Sequence, residues 1–597
     1  MNDPWPEQRR VQTAAPAVPL AWRHLAAALT AIACSGDATS SNPPVSSIAA
    51  SIAISPEVVS LAVPDTLRLI AVVKDADGKP LARTVTWRSE SPALATVSAD
   101  GLVTGLAPGG PFYITATADG QTAGAALSVT PRPNAAPIAT LTTERPSVTM
   151  ALRQSHQVFV TARDATGQLL YGRAVSWTSS TPSVVAVNSA GMLTALQPGS
   201  VSVVASSEGK ALTVTVTVVA LASIDAGYAE TCAISTTGRL YCAGAREGNR
   251  AKVVAENLRF ASVFASKRLH DVTCAITTDQ ALYCWGENAQ GELGVGDTVR
   301  HDVPTRVVGD IRFKTVSSGQ GNKGGLLIAG VQYPFALANH TCGLSITNDV
   351  YCWGDGRVAQ FGQGNNGSLK PEPAGSGRKF TEVVAGRMYS CGVGEDGRTY
   401  CWGDNEAGHT AQRTWSYEVP TSVPTVVAGV TLHGLSGGGA TCGLAANGDA
   451  YCWGDNTLGK IGAATTELCF GLKPCSTSPT LVQSPERFTS LHSTQYSTCA
   501  LSTAGTVYCW GMNIDSKFGV VTPPACFTPN SPAGCTTTPT AGPSGFLSIS
   551  GGPNNLCGFR QDGGAYCWGG NQFGQLGYPV SISLQPVPFS LDPDTPP

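Results

Sequence analysis

Apolar and polar residues alternate along this chain in short runs, and a turn residue closes nearly every run. Thr84-Val-Thr-Trp87, Val201-Ser-Val-Val204 and Phe546-Leu-Ser-Ile-Ser550 carry the β-branched, alternating pattern of half-buried strands. No helical periodicity is sustained after residue 33, so the pattern predicts an all-β protein.

The strands fall into two kinds of repeat. From residue 221 onward, a cysteine, nine residues and a second cysteine recur seven times. The pairs are Cys232 with Cys242, Cys274 with Cys284, Cys342 with Cys352, Cys391 with Cys401, Cys442 with Cys452, Cys499 with Cys509, and Cys557 with Cys567. Copies begin 42 to 68 residues apart, a period at which each unit buries a face only against its neighbours. The sixth residue after the first cysteine is Gly238, Gln280, Asn348, Gly397, Gly448, Gly505 or Gly563. Glycine and asparagine there mark a left-handed backbone position and predict a three-residue hairpin loop. Counting outward from that loop sets the two cysteines opposite each other as a non-hydrogen-bonded pair. Their Cα atoms should then lie roughly 4.5 Å apart, within disulfide reach. Trp-Gly follows in all copies but the first, and one aromatic per unit among short strands and Gly-rich turns reads as propeller blades.

The fuller motif is Trp-Gly-x-Asn, as in Trp285 to Asn288 and Trp568 to Asn571, followed by Gly291-Glu-Leu-Gly294 or Gly574-Gln-Leu-Gly577. This region resembles the regulator of chromosome condensation repeat family. The resemblance implies a seven-bladed β-propeller over residues 221–597. It assigns His340 to the family's blade histidine and shows the first copy degraded, with Cys242-Ala243-Gly244. The lone strands Leu221–Asp225 and Ser583–Leu591 are expected to meet as a clasp that closes the ring.

Upstream, a second repeat has a period of 90 residues: Trp87 matches Trp177, Gly101 matches Gly191, and Pro108-Gly109 matches Pro198-Gly199. The order of these motifs is similar to bacterial Ig-like domains of the invasin/intimin type, group 2. That implies two β-sandwiches, residues 49–130 and 131–220, which act in that family as spacers.

Composition narrows the function. Only 13% of the 597 residues are charged and the net charge is −3, which offers no basic face for nucleic acid. Nineteen cysteines divide as nine close pairs plus Cys34, the two further pairs being Cys469 with Cys475 and Cys526 with Cys535, both in loops. Zinc knuckles space their cysteines two to four apart, so disulfides and an oxidising compartment are expected, with no metal and no cofactor. Residues 1–33 have the arginines, short apolar run and small-residue end of a signal peptide. Cys34 and the Ser/Pro/Thr tether of residues 34–48 resemble a bacterial lipoprotein start. Either Cys34 is lipidated, or it is left as a free thiol after ordinary cleavage.

No catalytic centre is expected. Gly434-Leu-Ser436-Gly-Gly438 matches the nucleophile-elbow spacing but falls on the first strand of a blade with no helix after it. Asp75-Ala-Asp77-Gly78 lacks the distal glutamate of a calcium loop and reads as a hairpin turn. Asp355, Asp404 and Asp455 recur at one blade position, which points to turn chemistry, and the repeated tryptophans to packing between blades. The expectation is therefore a monomeric, exported, non-catalytic surface protein, lipid-anchored or extracellular. Its propeller would bind a protein or glycan at the cell exterior, with no nucleic acid and no membrane contact beyond the N-terminal lipid. The insertion from Gly319 to Asn339 and the two bridged loops are the candidate binding loops. Three alternatives remain: nucleotide exchange on a GTPase by family analogy, inhibition of a secreted enzyme, and a carbohydrate-binding or carbohydrate-active propeller.

Overall fold

The computed structural model describes residues 49–591 except 64, 76–77, 131–135, 268–271, 320, 324–325, 329–330, 334–335, 338, 364–365, 413–420, 470–472, 521–533 and 579–581. The signal, the tether with Cys34, and Cys526 lie outside the described residues.

Almost every described element is a strand. In the first Ig-like module, Val58–Ala62, Gln121–Thr130, Gly109–Ala118 and Thr86–Ser89 form one sheet, and two three-stranded sheets complete it. The second module repeats this arrangement, which accounts for the 90-residue period. The paired tryptophans and glycines turn out to be in contact. A Cβ on Gly191 would stand 2.5 Å from the Trp177 ring, and Gly101 meets Trp87 in the same way. Both glycines have φ above +80°, so two constraints exclude any side chain there.

From Leu221 onward, each repeat is one antiparallel sheet whose four blade strands lie in chain order from the centre outward. The first comprises Leu221–Ala226, Glu230–Ser235, Leu240–Gly244 and Gly248–Val254. Among the described residues seven such sheets follow one another. Each packs on the next and the seventh packs on the first, so the propeller ring is closed. The second-to-third strand hairpins have positive φ at all seven anticipated positions, Gln280 (71°) and Asn348 (66°) included.

The hairpin cysteines face one another in register across these two strands. Cys232 stands opposite Cys242, Cys274 opposite Cys284, Cys342 opposite Cys352 and Cys391 opposite Cys401. Cys442 likewise meets Cys452, Cys499 meets Cys509 and Cys557 meets Cys567. In all seven the sulfurs are bonded and the Cα atoms lie 4.1 Å apart, slightly closer than the expected spacing. Each bridge therefore staples one hairpin, and none crosses between blades.

The blades are joined by the tryptophans. Each of the six Cys-Trp-Gly indoles is fully buried, and five donate their Nε1–H to a backbone carbonyl of the preceding blade. Trp353 reaches Glu292 O at 2.9 Å, Trp402 reaches Gln360 O at 2.7 Å, and Trp453 reaches His409 O at 2.9 Å. Trp510 and Trp568 reach Lys460 O and Lys517 O, both at 2.9 Å. The two interfaces flanking the first blade lack this clasp. Ala243 replaces the indole at one, and at the other the buried Trp285 Nε1 finds no acceptor. There a buried Glu230–Arg246 ion pair takes over, with Thr273 donating to Glu230 Oε2 at 2.6 Å.

The expected clasp between the chain's two propeller ends takes a different form. Leu221–Ala226 pairs within the first sheet and Ile582–Pro588 within the last, so the ends share no sheet. Closure comes instead from Ala251 N–H on Ser590 O (3.1 Å), a parallel bridge between Ala251 and Leu591. The other six outer strands carry proline at the position of Ala251: Pro304, Pro371, Pro424, Pro479, Pro539 and Pro586. Proline lacks the outward N–H, and such residues are confined to sheet edges. Ala251 keeps the donor where the last blade needs it.

The second Ig-like module docks on this seam. Buried Gln154 brackets Leu591, donating to its carbonyl and accepting its N–H, both at 3.1 Å, while Arg153 donates to Asp562 O at 2.9 Å. Ala151 joins the core formed by Tyr241, Ala565, Phe589 and Leu591.

Trp353→Phe should lower stability by about 1 kcal/mol, because the buried Glu292 carbonyl loses the indole N–H and keeps only the Thr341 hydroxyl as its side-chain donor. Trp285→Phe removes no hydrogen bond and should cost less. Denaturant unfolding of both variants measures the difference.

Candidate interaction face and central channel

Antiparallel order dictates which loops share a face. In every blade the first-to-second and third-to-fourth connections emerge at one end of the sheet, and the hairpin turns at the other. The insertion after Gly319 is a first-to-second connection. It forms a hairpin in which Asn322–Lys323 pairs with Ala336–Leu337 and Leu326–Ile328 pairs with Val331–Tyr333. The loop carrying Cys469 and Cys475 is a third-to-fourth connection, joined sulfur to sulfur, and it adds a short fifth strand to its sheet. Buried Cys535 starts the outer strand after another such connection. All three candidate loops therefore leave the same face. The Ig-like module sits on the opposite one, where Arg153 meets the hairpin turn at Asp562 and Leu152 touches Gly563.

At the centre of the loop-bearing face opens a cavity of about 250 Å³ lined by the innermost strands. Those strands are sheet edges, and several are stitched to the next blade by a side chain that takes an edge N–H. Asp225 Oδ2 accepts from Ala265 (2.6 Å), Ser317 from Ala385 (3.0 Å), Ser436 from Ser493 (2.7 Å) and Ser550 from Ala226 (3.0 Å). Ser436, of the apparent nucleophile elbow, is thus a hydrogen-bond acceptor in this stitching. Lys267 neutralises Asp225 at 2.6 Å.

A second ring lies one position before each hairpin cysteine, at Thr231, Thr273, Thr341, Ser390, Thr441 and Thr498, with Leu556 in the last blade. Four of these hydroxyls meet the residue preceding their counterpart in the adjacent blade: Thr273 with Glu230 (2.6 Å), Ser390 with His340 Nε2 (3.0 Å), Thr441 with Tyr389 (2.7 Å) and Thr231 with Asn555 (3.2 Å). His340 is accordingly buried as a structural contact. The repeated Ser/Thr-Cys dipeptide was the sequence signal for this ring.

Asp355, Asp404 and Asp455 each accept the N–H two residues on, which is turn chemistry. Asp455 also holds Lys460 at 2.5 Å. Lys517 occupies the equivalent place one blade later, but Met512 stands where the carboxylate would be. It is fully buried and donates to Ser497 Oγ (2.7 Å) and Gly552 O (3.0 Å), and burial, reinforced by the charge of Lys267, holds its ammonium down to about 7. Glu230 lies beside Cys232 and Cys242, but those sulfurs are bonded to each other, which leaves no thiolate pair for a metal.

His409 stacks on Tyr389 with ring centroids 4.7 Å apart, and burial lowers its imidazole to about 4, as it does for His492. Both are neutral in the folded ring and return to about 6.5 when unfolded. The unfolded chain therefore binds more protons between pH 6.5 and 4, so stability should fall as pH drops through that window. Thermal melts from about pH 7 to about 4.5 should show a shallower fall for a double variant, His409→Gln with His492→Gln, than for the unaltered chain.

Comparison with known proteins places two kinds of module in the chain. The model for the bacterial Ig-like domain (group 2) matches residues 48–129. Models for the regulator of chromosome condensation (RCC1) repeat match residues 279–322, 338–363 and 546–575. The ultraviolet-B receptor UVR8 of Arabidopsis thaliana is 24% identical over 242 residues, 40% of this chain and 50% of that protein. The E3 ubiquitin-protein ligase HERC2 of Homo sapiens is 26% identical over 309 residues, 50% of this chain and 6% of its own length. Protein RCC2 of Homo sapiens is 30% identical over 109 residues, 18% of each. The chain thus spans half or less of the length of these relatives. Among solved structures, yeast RCC1 (Prp20) bound to Kap60 is similar at 16% identity, covering 56% of this chain and 78% of that one, with a TM-score of 0.44. Human WBSCR16 is similar at 16% identity, covering 58% and 85%, with a TM-score of 0.45.

Proposed function

We infer, for a chain that carries a group 2 bacterial Ig-like domain and regulator of chromosome condensation repeats, that it is an exported surface protein whose propeller binds another protein. The carrying observation is directional. Three long loops leave one face of the ring, while the Ig-like module grips the other. A propeller held by its hairpin face presents its variable loops outward, and loops on a rigid scaffold are where recognition usually lies. The two Ig-like modules act as the stalk, and Cys34 is the point of lipid attachment. The seven hairpin pairs, together with Cys469 to Cys475 and Cys526 to Cys535, are disulfides in the mature protein, which fits an oxidising exterior. The in-register approach of Cys274 to Cys284, Cys342 to Cys352 and Cys391 to Cys401 supports that reading, as does that of Cys442 to Cys452, Cys499 to Cys509 and Cys557 to Cys567.

Replacing residues 322–337 by two glycines in the full chain should abolish capture of a partner from envelope and secreted fractions. An equal insertion in the hairpin turn at Asp396–Gly397, on the opposite face, should leave capture intact. Capture that survives the deletion and fails with the opposite-face insertion would reverse the orientation. In the same preparations, a fatty-acid analogue should label the chain but not Cys34→Ala, and non-reducing peptide maps should link each cysteine to its local mate.

A further inference from the structure

One loop of the exposed face departs from its repeat at consecutive positions. The segment after Trp-Gly reads Asn456-Thr-Leu-Gly-Lys460 in the fifth blade and Asn571-Gln-Phe-Gly-Gln575 in the seventh. In the sixth it reads Asn513-Ile-Asp-Ser-Lys517. Asp515 and Ser516 both adopt left-handed backbone, φ 51° and 57°, with no glycine to relieve either. Non-glycine residues held so are uncommon and cluster at functional sites.

The side chain of Asp515 makes no hydrogen bond or ion pair among the described residues, and its Oδ2 is buried without a partner. Lys517, two residues on, is turned inward to Ser497 and Gly552 and does not compensate it. The carboxylate fits against the seventh blade only because Gly570 stands there: a Cβ on Gly570 would lie 2.5 Å from Oδ2. Other blades have Glu287, Asp355, Asp404, Asp455 or Met512 at that place. The face that carries this loop also brings together aromatic residues from three blades. Tyr228 comes from the first, half-buried Tyr496 from the sixth, and Phe573, 37% exposed, from the seventh. The Tyr228 and Phe573 rings lie 5.7 Å apart. The carboxylate is close enough that its charge, after burial and Tyr496, adds to the upward shift of the Tyr228 hydroxyl.

We propose that Asp515, Tyr228, Tyr496 and Phe573 form a receptor for one cationic side chain, the guanidinium of an arginine on the partner protein. The proposal rests on the protein-binding reading above and names the group that this face takes. Aromatic faces attract a cation through their negative π-surface, and arginine stacks on them while its fork engages a carboxylate. Buried arginine and tyrosine contacts carry a large share of binding energy at interfaces. The carboxylate is already partly desolvated and has no internal counter-ion, so an incoming guanidinium meets a preformed, uncompensated charge.

The test uses the full chain and saturation-transfer NMR, with N-acetyl-arginine methylamide as the probe. The arginine probe should receive saturation and the isosteric, neutral citrulline analogue should not. Asp515→Asn should weaken the arginine signal about tenfold or more while leaving the thermal midpoint in place. Burial raises the Asp515 carboxyl above its ordinary value. The arginine signal should therefore fade as pH is lowered through that value, and in Asp515→Asn the residual signal should not respond to pH. Equal saturation of the citrulline analogue, undiminished binding by Asp515→Asn, or preferential binding of methyl glucoside would each overturn the assignment. If Asp515→Asn still captures the partner normally while the 322–337 deletion does not, the face stands as the binding surface and the arginine receptor does not.

Discussion

The ring depends on a hydrogen bond between a side chain that repeats and a backbone group that does not need to. A tryptophan of one blade lies flat against the preceding blade and gives its N–H to a main-chain carbonyl there. The indole buries a large apolar area and places its single polar atom on an acceptor, which removes the penalty for sealing that atom from water. Because the acceptor is a main-chain atom, the residue bearing it is free to vary. It is Glu292, Gln360, His409, Lys460 and Lys517 in successive blades. Variation at those residues places charge and titratable groups between blades without loosening the ring.

That arrangement also explains what was legible in the sequence. The hairpins were readable because glycine and asparagine report a backbone angle directly, and all seven positions have it. The same register count set each cysteine opposite its mate, since both lie at a fixed distance from the turn. The tryptophans were readable as interblade packing. Their acceptors were not, since five unlike side chains share nothing but a carbonyl. The Ser/Thr before six of the seven hairpin cysteines was visible, but for Ser390 and Thr441 the partner lies about 50 residues earlier in the preceding blade, and no local rule links them. The form of ring closure was hidden for a similar reason. Two unpaired strands suggested a shared clasp, whereas each finds its partner within its own sheet. The informative residue was Ala251, which stands where six other outer strands have proline. The aromatic group on the face that carries Asp515 draws on three blades and was invisible until the ring placed them together.

The second Ig-like module is more than an appended sandwich. Gln154 satisfies both main-chain groups of Leu591, the residue that bridges the first and last blades. The corresponding residue of the first module, which makes the same two main-chain hydrogen bonds, is Asp65, whose carboxylate has no amide N–H to donate. Two modules of common pattern have thus diverged: the first retains the bare sandwich, and the second is built into the seam of the ring. Its grip on the hairpin face sets the direction in which the opposite face looks.

The prolines of the outer strands bear on how copies of the molecule tolerate one another. A propeller has a long circumference made of sheet edges, and an edge with free donors is a template for a neighbour's strand. Six of the seven edges lack the donor at one shared position, and the seventh engages its own with the carbonyl of Ser590. The rim is therefore blunted all the way round, so the rings can crowd side by side without fusing their sheets.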